Sequence, residues 1–424
     1  MQLTEKHIIN NRHQFYKELD GTCFLSKNLY NKANWYIRQT FIFTSRLKEE
    51  GKIKHAIWIR YGEIQKMLQD KKEEDYYALP TKVAQQVLKL LDKNWKSFFE
   101  AIKDYAKNPS NYTGRPKLPK YKNKKDGRNI LVYTIQSISK TEIKKGIVKL
   151  SGTDIRIKTK QTKINQVRVI PQNSQYTIEV IYTKKEVKLK KINKTKKKKV
   201  GGIDIGLNNL ATVTSNQNLK PLLINGRPLK SMNQYYNKKK AVLQSYVGDK
   251  GISKKLICLT NKRNNKINDF MHRASTYVAN YFIENKFDVV VIGKNKQWKT
   301  EINIGSKNNQ NFVSIPHAKF IEMTIYKLKL AGIPVIIREE SHTSKCSFID
   351  EEEIKHHENY LGKRKHRGLF ISKNGIKINA DCNGSGNIIR KEFPNAFADG
   401  IQGVVVRPLR VNVGNNMKLH KLVA

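Results

Sequence analysis

The sequence predicts a multidomain α/β protein, built from an N-terminal helical module, a small antiparallel β-domain and a C-terminal domain around a mixed five-stranded sheet. Three observations favour this class. Apolar residues recur at helical spacing through much of residues 25–107, short alternating runs dominate residues 130–188, and strand-like apolar segments alternate with helical ones after residue 200. The length of 424 residues is enough for two or three domains of ~150 residues each.

The charge balance points to a polyanionic partner. Lys and Arg number 82 against 35 Asp and Glu, which leaves a formal net charge of +47. Such a surplus costs self-repulsion that a polyphosphate chain would relieve. A single lysine cluster is usually only a solvated face. Here, however, basic residues occur in every third of the sequence, which favours a long groove for nucleic acid.

Composition excludes two other classes of protein. With 38% apolar residues the chain can build cores, so wholesale disorder is excluded. The most apolar strand-like run, residues 289–292, is far shorter than the ~20 residues that cross a bilayer, and the first six residues lack the apolar segment of a secretory signal. We therefore expect a cytosolic protein, in the prokaryotic cytosol or nucleoid, with no membrane partner.

Residues 25–107 are predicted to form the helical module. Ser26 is a candidate N-cap for a helix that reaches about residue 48, and a second helix is expected after Pro80. Each has an apolar face at helical spacing, formed by Leu29, Ala33, Ile37 and Phe41 in the first and by Val83, Val87, Leu91, Trp95, Phe99 and Ile102 in the second.

Two basic stretches are candidate contacts to nucleic acid. Pro116 and Pro119 keep the first one extended with its charges outward, suited to following a phosphate backbone. Residues 184–199 carry ten lysines and one acid and are predicted to be a flexible linker that contacts nucleic acid. The candidate contacts in the two stretches are Arg115, Lys117, Lys120, Lys122, Lys196 and Lys197.

The chain changes character after the linker, where Asp204 becomes a candidate catalytic residue. It stands between Ile203 and Ile205 in a predicted strand, and Gly206 permits a tight bend into the next strand. A carboxylate on a central strand is costly unless a cation holds it, which favours a metal-binding role. The alternative is that Asp204 only caps a turn.

Further carboxylates follow the later elements. Glu339 and Glu340 come directly after the predicted fifth strand, at residues 333–337, and Asp381 lies near the start of the last predicted helix. Gly384 and Gly386 lower the intrinsic stability of that helix. Their presence is explained if the helix packs so closely on the sheet that there is no space for larger side chains. Two or three converging carboxylates would hold two Mg²⁺ ions ~4 Å apart, which activate water and stabilise the leaving oxygen of a phosphodiester.

These motifs carry a family resemblance. Residues 200–390 resemble the RuvC-like nuclease domain, of RNase H-like fold, of the OrfB/TnpB family, transposon-encoded relatives of the type V CRISPR effectors. Residues 29–33 and 115–121 also resemble that family. The motifs that carry the resemblance in this order are Asp204-Ile205-Gly206-Leu207, Thr343-Ser344-Lys345 and Asn379-Ala380-Asp381 followed by Asn383-Gly384.

The resemblance implies a division into domains. Residues 1–24 and 108–183 would form a β-barrel-like nucleic-acid-binding (wedge) domain, and residues 25–107 the helical recognition module. After the linker of residues 184–199, residues 200–342 and 379–395 would form the RuvC-like nuclease domain. Residues 343–378 would be a degenerate zinc-finger-like insertion, and residues 396–424 a C-terminal tail.

The chain departs from the family pattern at the second acid. A glutamate ordinarily ends the fourth strand, but here Ile292 is followed by Gly293 and Lys294. Glu340 and Glu339 are the nearest substitutes, and because strand residues alternate between faces only one of them should point inward. We favour Glu340, which lies further beyond the strand; Glu301 is a third choice, and the remaining alternative is that Glu339 and Glu340 are both surface acids.

The zinc element is the second departure. Family members often carry two CxxC pairs in the insertion, whereas this chain has only Cys346 before it and Cys382 after it. A site that adds His356 or His357 and His366 has irregular spacing, so we expect no zinc.

The resemblance implies an RNA-guided DNA endonuclease, with a guide RNA from the transposon end and double-stranded target DNA as partners. Asp204, Glu340 and Asp381 would hold Mg²⁺ or Mn²⁺ and cut the strands, while base pairing reads the sequence and the protein contacts mostly backbone. Two alternatives stay open: a nuclease-inactive RNA-guided repressor, and a transposase that joins strands directly. The sequence leaves the oligomeric state open.

Overall fold

The computed structural model describes residues 1–190, 198–248, 251–295, 314–366, 368–398 and 400–414. The chain divides into two compact units, residues 1–185 and 186–424, which are described separately below. None of the helices in the described ranges is both long and apolar enough to span a bilayer. A mixed α/β fold with several sheets is confirmed.

The first unit contains two long helices and three short ones. The helices are α1 (Tyr16–Glu49), α2 (Tyr61–Asp70), α3 (Glu74–Tyr77), α4 (Thr81–Lys107) and α5 (Lys140–Lys144). The predicted apolar face of α4 is confirmed, because Val83, Val87, Leu91 and Trp95 are all buried. Helix α4 packs on α1 and on the sheet of the same unit.

The start of α1 differs from the prediction. Ser26 is not an N-cap: it lies buried in the middle of the helix, where its hydroxyl donates to the carbonyl of Ile130 at 3.1 Å. The helix begins ten residues earlier, at Tyr16, because Leu19 and Cys23 continue its buried face toward the N-terminus. Packing of this face against the core extends the helix beyond the point where a local capping signal would start it.

The strands of the first unit form an antiparallel sheet and a separate hairpin. The sheet has the order β1 (Gln2–Ile9), β6 (Gln175–Thr183), β5 (Ile164–Gln172) and β2 (Leu131–Thr134). Strands β3 (Ile147–Lys149) and β4 (Arg156–Lys158) form the hairpin. The predicted antiparallel strands are confirmed. They share one apolar core with helices α1 to α4.

The second unit is organised around a six-stranded mixed sheet. Its order is β11 (Val335–Arg338), β10 (Val289–Gly293), β7 (Val200–Ile205), β8 (Asn209–Ser215), β9 (Leu222–Asn225) and β15 (Leu409–Val411). Strand β8 runs antiparallel to β7 and β9, and the other neighbours pair in parallel. The predicted count of five strands is one short, because β15 pairs with β9 across nearly two hundred residues of sequence.

Helices cover both faces of this sheet. Helices α6 (Arg227–Ser245), α7 (Lys254–Glu284) and α8 (His317–Leu330) belong to one face, and α9 (Ala380–Glu392) packs on the other. A short helix, α10 (Gln402–Val405), precedes β15. A small antiparallel sheet of β12 (Lys363–His366), β13 (Leu369–Ile371) and β14 (Lys377–Ile378) lies in the chain just before α9.

Candidate active site

Asp204 lies on β7, a central strand of the six-stranded sheet, and pairs with Thr212 of β8. Its neighbours Ile203 and Ile205 are buried in the core on one face, so strand alternation places Asp204 on the opposite face, toward α9. There α9 carries Gly384, and a Cβ at that position would lie only 3.0 Å from Oδ2 of Asp204. The lack of a side chain at Gly384 therefore leaves space for the carboxylate. This agrees with the prediction that the helix approaches the sheet closely at this glycine.

Glu340 follows β11, and its carboxylate lies over the end of the neighbouring strand β10. The last residue of β10, Gly293, pairs with Arg338 of β11. A Cβ on Gly293 would lie 2.7 Å from Oε2 of Glu340. The backbone N–H of Glu340 also donates to the side-chain oxygen of Asn295, just beyond β10, at 3.1 Å. A carboxylate from the fifth strand thus occupies the space where a side chain of residue 293 would begin.

Asp381 lies in the first turn of α9. The side-chain oxygen of Asn379 caps the helix by accepting from the backbone N–H groups of Asp381 at 3.0 Å and Cys382 at 3.2 Å. Both carboxylate oxygens of Asp381 are engaged. Oδ2 accepts from Nδ2 of Asn209 at 2.8 Å, and Oδ1 lies 3.3 Å from a guanidinium nitrogen of Arg364.

Buried amides tie the loop after Glu340 to the helix of Asp381. Asn387 donates to the carbonyls of Thr343 at 2.9 Å and Cys346 at 2.8 Å, and Asn383 donates to the same Cys346 carbonyl at 2.9 Å. The hydroxyl of Thr343 in turn donates to the carbonyl of Glu340 at 2.8 Å. Because Asn383 and Asn387 are completely buried, these bonds are costly to break and fix the loop against α9.

Glu340 and Asp381 both lie close enough to Asp204 to affect its protonation. The pKa of Asp204 is held well above its ordinary value, first by burial and then by the negative charges of Glu340 and Asp381, against a smaller opposing effect of Arg364. Burial, with a contribution from Glu339, raises the pKa of Glu340 to about 7. Negative charge is therefore disfavoured at this cluster unless a cation compensates it.

The carboxylates are not gathered tightly around one point. Within the described ranges, no group of three or more His, Cys, Asp and Glu side chains is arranged so that it could hold a metal ion as it stands. Mutual repulsion and the engagement of Asp381 with Arg364 and Asn209 both oppose closer approach.

Of the two other candidates for the second acid, only Glu339 lies in the described part of the chain. Glu339 points away from Asp204: its side chain is 56% exposed, accepts from the hydroxyl of Ser341 at 2.7 Å and pairs with Lys391 at 3.4 Å. Glu301 lies outside the described residues, as do the linker candidates Lys196 and Lys197.

Sequence reasoning missed Arg364 and Asn209, which both contact Asp381. Arg364 lies on β12, in a basic run of residues 363–366 that carries no catalytic motif. Asn209 begins β8, five residues after Asp204, and could have been singled out as a polar residue at the edge of a buried strand.

Two family models match different parts of the chain. Residues 175–299 match the OrfB_IS605 family, described as a probable transposase, and residues 317–388 match the TNB domain of Cas12f1-like proteins. The first match contains Asp204, and the second contains Glu340, Arg364 and Asp381. In these two segments the chain is similar to OrfB_IS605 transposases and to Cas12f1-like proteins.

Solved structures of type V effectors are similar at low identity. One is a Cas12f1 in complex with single-guide RNA and target DNA, which is 16% identical in sequence. The match covers 91% of this chain and 98% of the Cas12f1 chain, with a TM-score of 0.37. A Cas12f ternary complex is 15% identical over 90% and 85% of the two chains, with a TM-score of 0.35. The mini RNA-guided endonuclease Cas-phi3 is 10% identical over 96% and 92%, with a TM-score of 0.41. No protein with a curated function matches the chain.

Two of the Cys and His candidates of the insertion, Cys346 and His357, contact backbone carbonyls. The thiol of Cys346 donates to the carbonyl of Lys355 at 3.5 Å, and Nε2 of His357 lies 2.8 Å from the carbonyl of Glu353. The buried carboxylate of Glu352 accepts from the backbone N–H groups of Ser347 at 2.6 Å and Leu361 at 2.9 Å. A carboxylate therefore joins two parts of the insertion that lie fourteen residues apart.

The basic segment of the first unit is held in an extended form along α1. Lys27, Asn31, Asn34 and Arg38, on one face of α1, donate to carbonyls between residues 119 and 124 at 2.8–3.0 Å. Because these bonds use the backbone, the side chains that face away are free to meet solvent. Arg115, Lys117 and Lys120 are exposed; the ammonium of Lys122 is instead half-buried 5.0 Å from the ring of Tyr30.

Proposed function

We propose that the chain is an RNA-guided DNA endonuclease whose RuvC-like domain cuts target DNA with Asp204, Glu340 and Asp381. The single observation that carries this proposal is that Asp204 on β7 lies near two further carboxylates, Glu340 beyond the end of β11 and Asp381 at the start of α9, whose negative charges both raise its pKa. Both matched family models contribute residues to this cluster.

The sheet supports an RNase H-like domain. In sequence order its first five strands have the spatial order five, four, one, two, three, with only the second strand antiparallel. Asp204 on the first strand and Asp381 on the last helix then have the positions of metal-binding acids in such a domain. We propose residues 200–342 and 379–395 as this domain, with β15 added at its edge.

The donor set suits Mg²⁺ or Mn²⁺. All three groups are carboxylates, and hard divalent cations prefer oxygen ligands. Burial raises the pKa of Asp204, and the negative charges of Glu340 and Asp381 raise it further, so a bound cation would favour the carboxylate form. A bound divalent ion would activate water and stabilise the leaving oxygen of a phosphodiester. Asp204, Glu340 and Asp381 would hold it once Asp381 exchanges its contact with Arg364.

Arg364 is the proposed contact to the phosphodiester of the DNA strand. Its side chain is 42% exposed, and a guanidinium nitrogen lies 3.3 Å from Oδ1 of Asp381. A guanidinium binds a phosphate as readily as a carboxylate, so an incoming phosphodiester would compete with Asp381 for it. Binding of the substrate would then free one oxygen of Asp381. Asn209 keeps the other oxygen oriented by its hydrogen bond.

The first unit is proposed to bind the guide RNA and its duplex with the target. Arg115, Lys117 and Lys120 present charge along an extended segment, and the exposed ring of Tyr121 lies 5.1 Å from the guanidinium of Arg38. Cations beside an exposed aromatic ring suit a phosphate backbone with unpaired bases that stack. Lys122, Lys196 and Lys197 complete the proposed set of contacts.

A second candidate function is an RNA-guided DNA-binding protein without nuclease activity. The observation that favours it is that, in the described part of the chain, no group of acidic, Cys or His side chains is tight enough to hold a metal ion. In this reading, Arg364 and Asn209 would be permanent partners of Asp381. A transposase that joins strands without a guide is the third alternative.

The deciding experiment is Mg²⁺-dependent cleavage of a plasmid library with randomised sequence beside a guide-matched target. The protein is purified with its co-expressed native RNA, together with Asp204→Ala and Glu340→Ala, and Glu339→Ala serves as the matched control. We expect cleavage by the wild type and the control only. Tight binding of guide-matched DNA without any cleavage would establish the second candidate, and cleavage or joining without RNA would favour the third.

A further inference from the structure

The turn between β7 and β8 connects two residues of the candidate active site. It follows the strand of Asp204 and ends at Asn209, whose Nδ2 donates to Oδ2 of Asp381 at 2.8 Å. The turn is tight, because a Cβ on Gly206 would lie only 2.8 Å from the carbonyl oxygen of Asn209. A shift of this turn would therefore move Asn209 relative to Asp381.

His317, the first residue of α8, contacts this turn. Helix α8 packs on the face of the sheet opposite to Asp204. Nε2 of His317 lies 3.1 Å from the carbonyl oxygen of Gly206, and the side chain of His317 is completely buried. Since a carbonyl oxygen can only accept a hydrogen bond, Nε2 carries a proton and donates. A buried hydrogen bond is costly to leave unmade, so this contact fixes the position of Gly206.

Helix α8 is itself anchored near both of its ends. Just before the helix, the guanidinium of Arg263 on α7 donates to the carbonyl of Ser314 at 3.0 Å, and it also donates to Oδ1 of Asn233 on α6 at 2.7 Å. Near the other end, the ammonium of Lys327 donates to the carbonyl of His272 on α7 at 2.8 Å. The imidazole that contacts the turn is therefore presented by a fixed support.

The start of α6 holds the same turn. Nζ of Lys230 donates to Oδ1 of Asn208 at 3.0 Å, and the backbone N–H of Gly226 donates to the carbonyl of Asn208 at 2.8 Å. A Cβ on Gly226 would lie 2.6 Å from the carbonyl oxygen of Leu207, so the turn packs directly on this glycine. Residues of both α6 and α8 thus determine where the turn lies.

We propose that His317, supported by Lys230, is a positioning residue of the candidate active site, which fixes the turn after Asp204 and through Asn209 keeps Asp381 oriented for metal binding. The inference rests on the proposed nuclease function and deepens it, because it extends the site to the far face of the sheet. Substitution of residues that orient metal ligands typically costs about 10–100-fold in metal affinity or activity.

A double-mutant cycle in single-turnover cleavage of a guide-matched target tests this proposal. His317→Leu removes the donor, and His317→Gln keeps an N–H donor. We expect His317→Leu to lower the cleavage rate constant about tenfold at unchanged affinity for the target, and His317→Gln to restore most of the rate. In an Asn209→Ala background, His317→Leu should lower the rate less than about twofold, because its effect passes through Asn209.

Lys230→Met is the second variant, at a half-buried position where loss of the ammonium leaves the apolar core intact. It should also slow cleavage, and again much less in the Asn209→Ala background. The matched control is Thr324→Val, which removes a buried hydroxyl that donates within α8 to the carbonyl of Phe320 at 2.9 Å. This control should cut within about twofold of the wild type. An equal loss in the control, or equal losses with and without Asn209, would overturn the inference.

Hydrogen exchange separates this inference from the nuclease proposal. The exchange of the backbone amides of residues 206–210 is measured by mass spectrometry in the RNA-bound protein without divalent metal. His317→Leu and Lys230→Met should speed this exchange about tenfold, and Thr324→Val should leave it unchanged. Unchanged exchange in both turn variants would overturn the positioning role even where cleavage falls. Faster exchange with weaker Mn²⁺ binding, in a protein that never cuts, would support the positioning role and refute the nuclease.

Discussion

The carboxylate of Glu340, beyond β11, lies directly above Gly293, the last residue of β10. A Cβ on Gly293 would meet Oε2 of Glu340 at 2.7 Å. The carboxylate of Glu340 can occupy this position only because residue 293 has no side chain. This gives a physical reason why the fourth strand of this chain can end without an acid.

Asp204→Asn is expected to stabilise the protein while it abolishes cleavage. At neutral pH without divalent metal, the carboxylate is disfavoured by burial and by its acidic neighbours, and a neutral amide of the same shape removes that penalty. A gain of ~1 kcal/mol would raise the Tm by about 2–4 °C. Calorimetry checks this, with the exposed Asp269→Asn as control; a fall in Tm would show that no such penalty exists.

Glu340→Gln and Glu339→Gln should differ sharply in cleavage. Glu340 faces Asp204, whereas Glu339 faces Ser341 and Lys391. We expect Glu340→Gln to lower the cleavage rate by more than about 100-fold, since substitution of residues that only orient metal ligands already lowers metal affinity or activity by about 10–100-fold. Glu339→Gln should stay within about twofold of wild type. Equal losses in single-turnover assays would argue against the assignment.

Arg364→Met should weaken cleavage and strengthen metal binding. Removing the guanidinium frees Oδ1 of Asp381 and takes a positive charge away from the site, so Mn²⁺ should bind severalfold more tightly. Cleavage should fall because the phosphate loses its proposed partner. Electron paramagnetic resonance follows Mn²⁺, and Lys363→Met is the neighbouring control. Unchanged Mn²⁺ affinity would mean that Arg364 does not compete with the metal.

Stability should rise with pH in a window set by Lys327. Its ammonium is buried between α7 and α8 and donates to the carbonyl of His272 and the hydroxyls of Ser275 and Thr276. Burial lowers the pKa of Lys327 to about 8, so between about pH 8 and 10.5 the unfolded chain binds more protons than the folded one. The free energy of unfolding therefore gains up to about 3 kcal/mol as pH rises through this window.

Lys327→Met should remove that pH-dependent gain, and Lys329→Met, at an exposed position two residues away, should keep it. Denaturant unfolding at pH 7.5 and 10.5 measures the difference. Parallel pH dependence in the two variants would show that Lys327 carries its charge without penalty when folded.

Some features of the fold were predictable because their signals are local. The apolar face of α4 and the strand around Asp204 follow from periodicity and from a carboxylate among apolar neighbours. The start of α1 was mispredicted because burial of Leu19 and Cys23, rather than a cap at Ser26, decides where that helix begins. Strand β15 was missed because it has only three residues and its partner is distant in sequence.

Some residues of the candidate site were likewise predictable from the sequence, and others were not. Asp204 and Asp381 lie in recognisable motifs, and the position of Glu340 could be inferred from the strand order. Arg364 could not be inferred, because no periodicity or motif marks a side chain whose only signal is its contact with Asp381. Asn209 offered one local signal, as a polar residue at the start of a buried strand. The catalytic roles of all these residues stay predictions until the variants are measured.

The most direct test of this account moves the acid back to the fourth strand. Glu340→Gly alone should abolish guided cleavage, and Gly293→Glu alone should also impair it, because its side chain would collide with Glu340 and Ile388. The double variant is made together with Ile388→Val, because Cδ1 of Ile388 would lie 2.5 Å from a Cβ at residue 293 whether or not Glu340 is present. In single-turnover cleavage of a guide-matched target it should recover at least about a tenth of wild-type activity, since a carboxylate returns to the space that Glu340 vacates. A folded, RNA-bound double variant that cuts no better than Glu340→Gly would contradict the claim that the two positions serve one site.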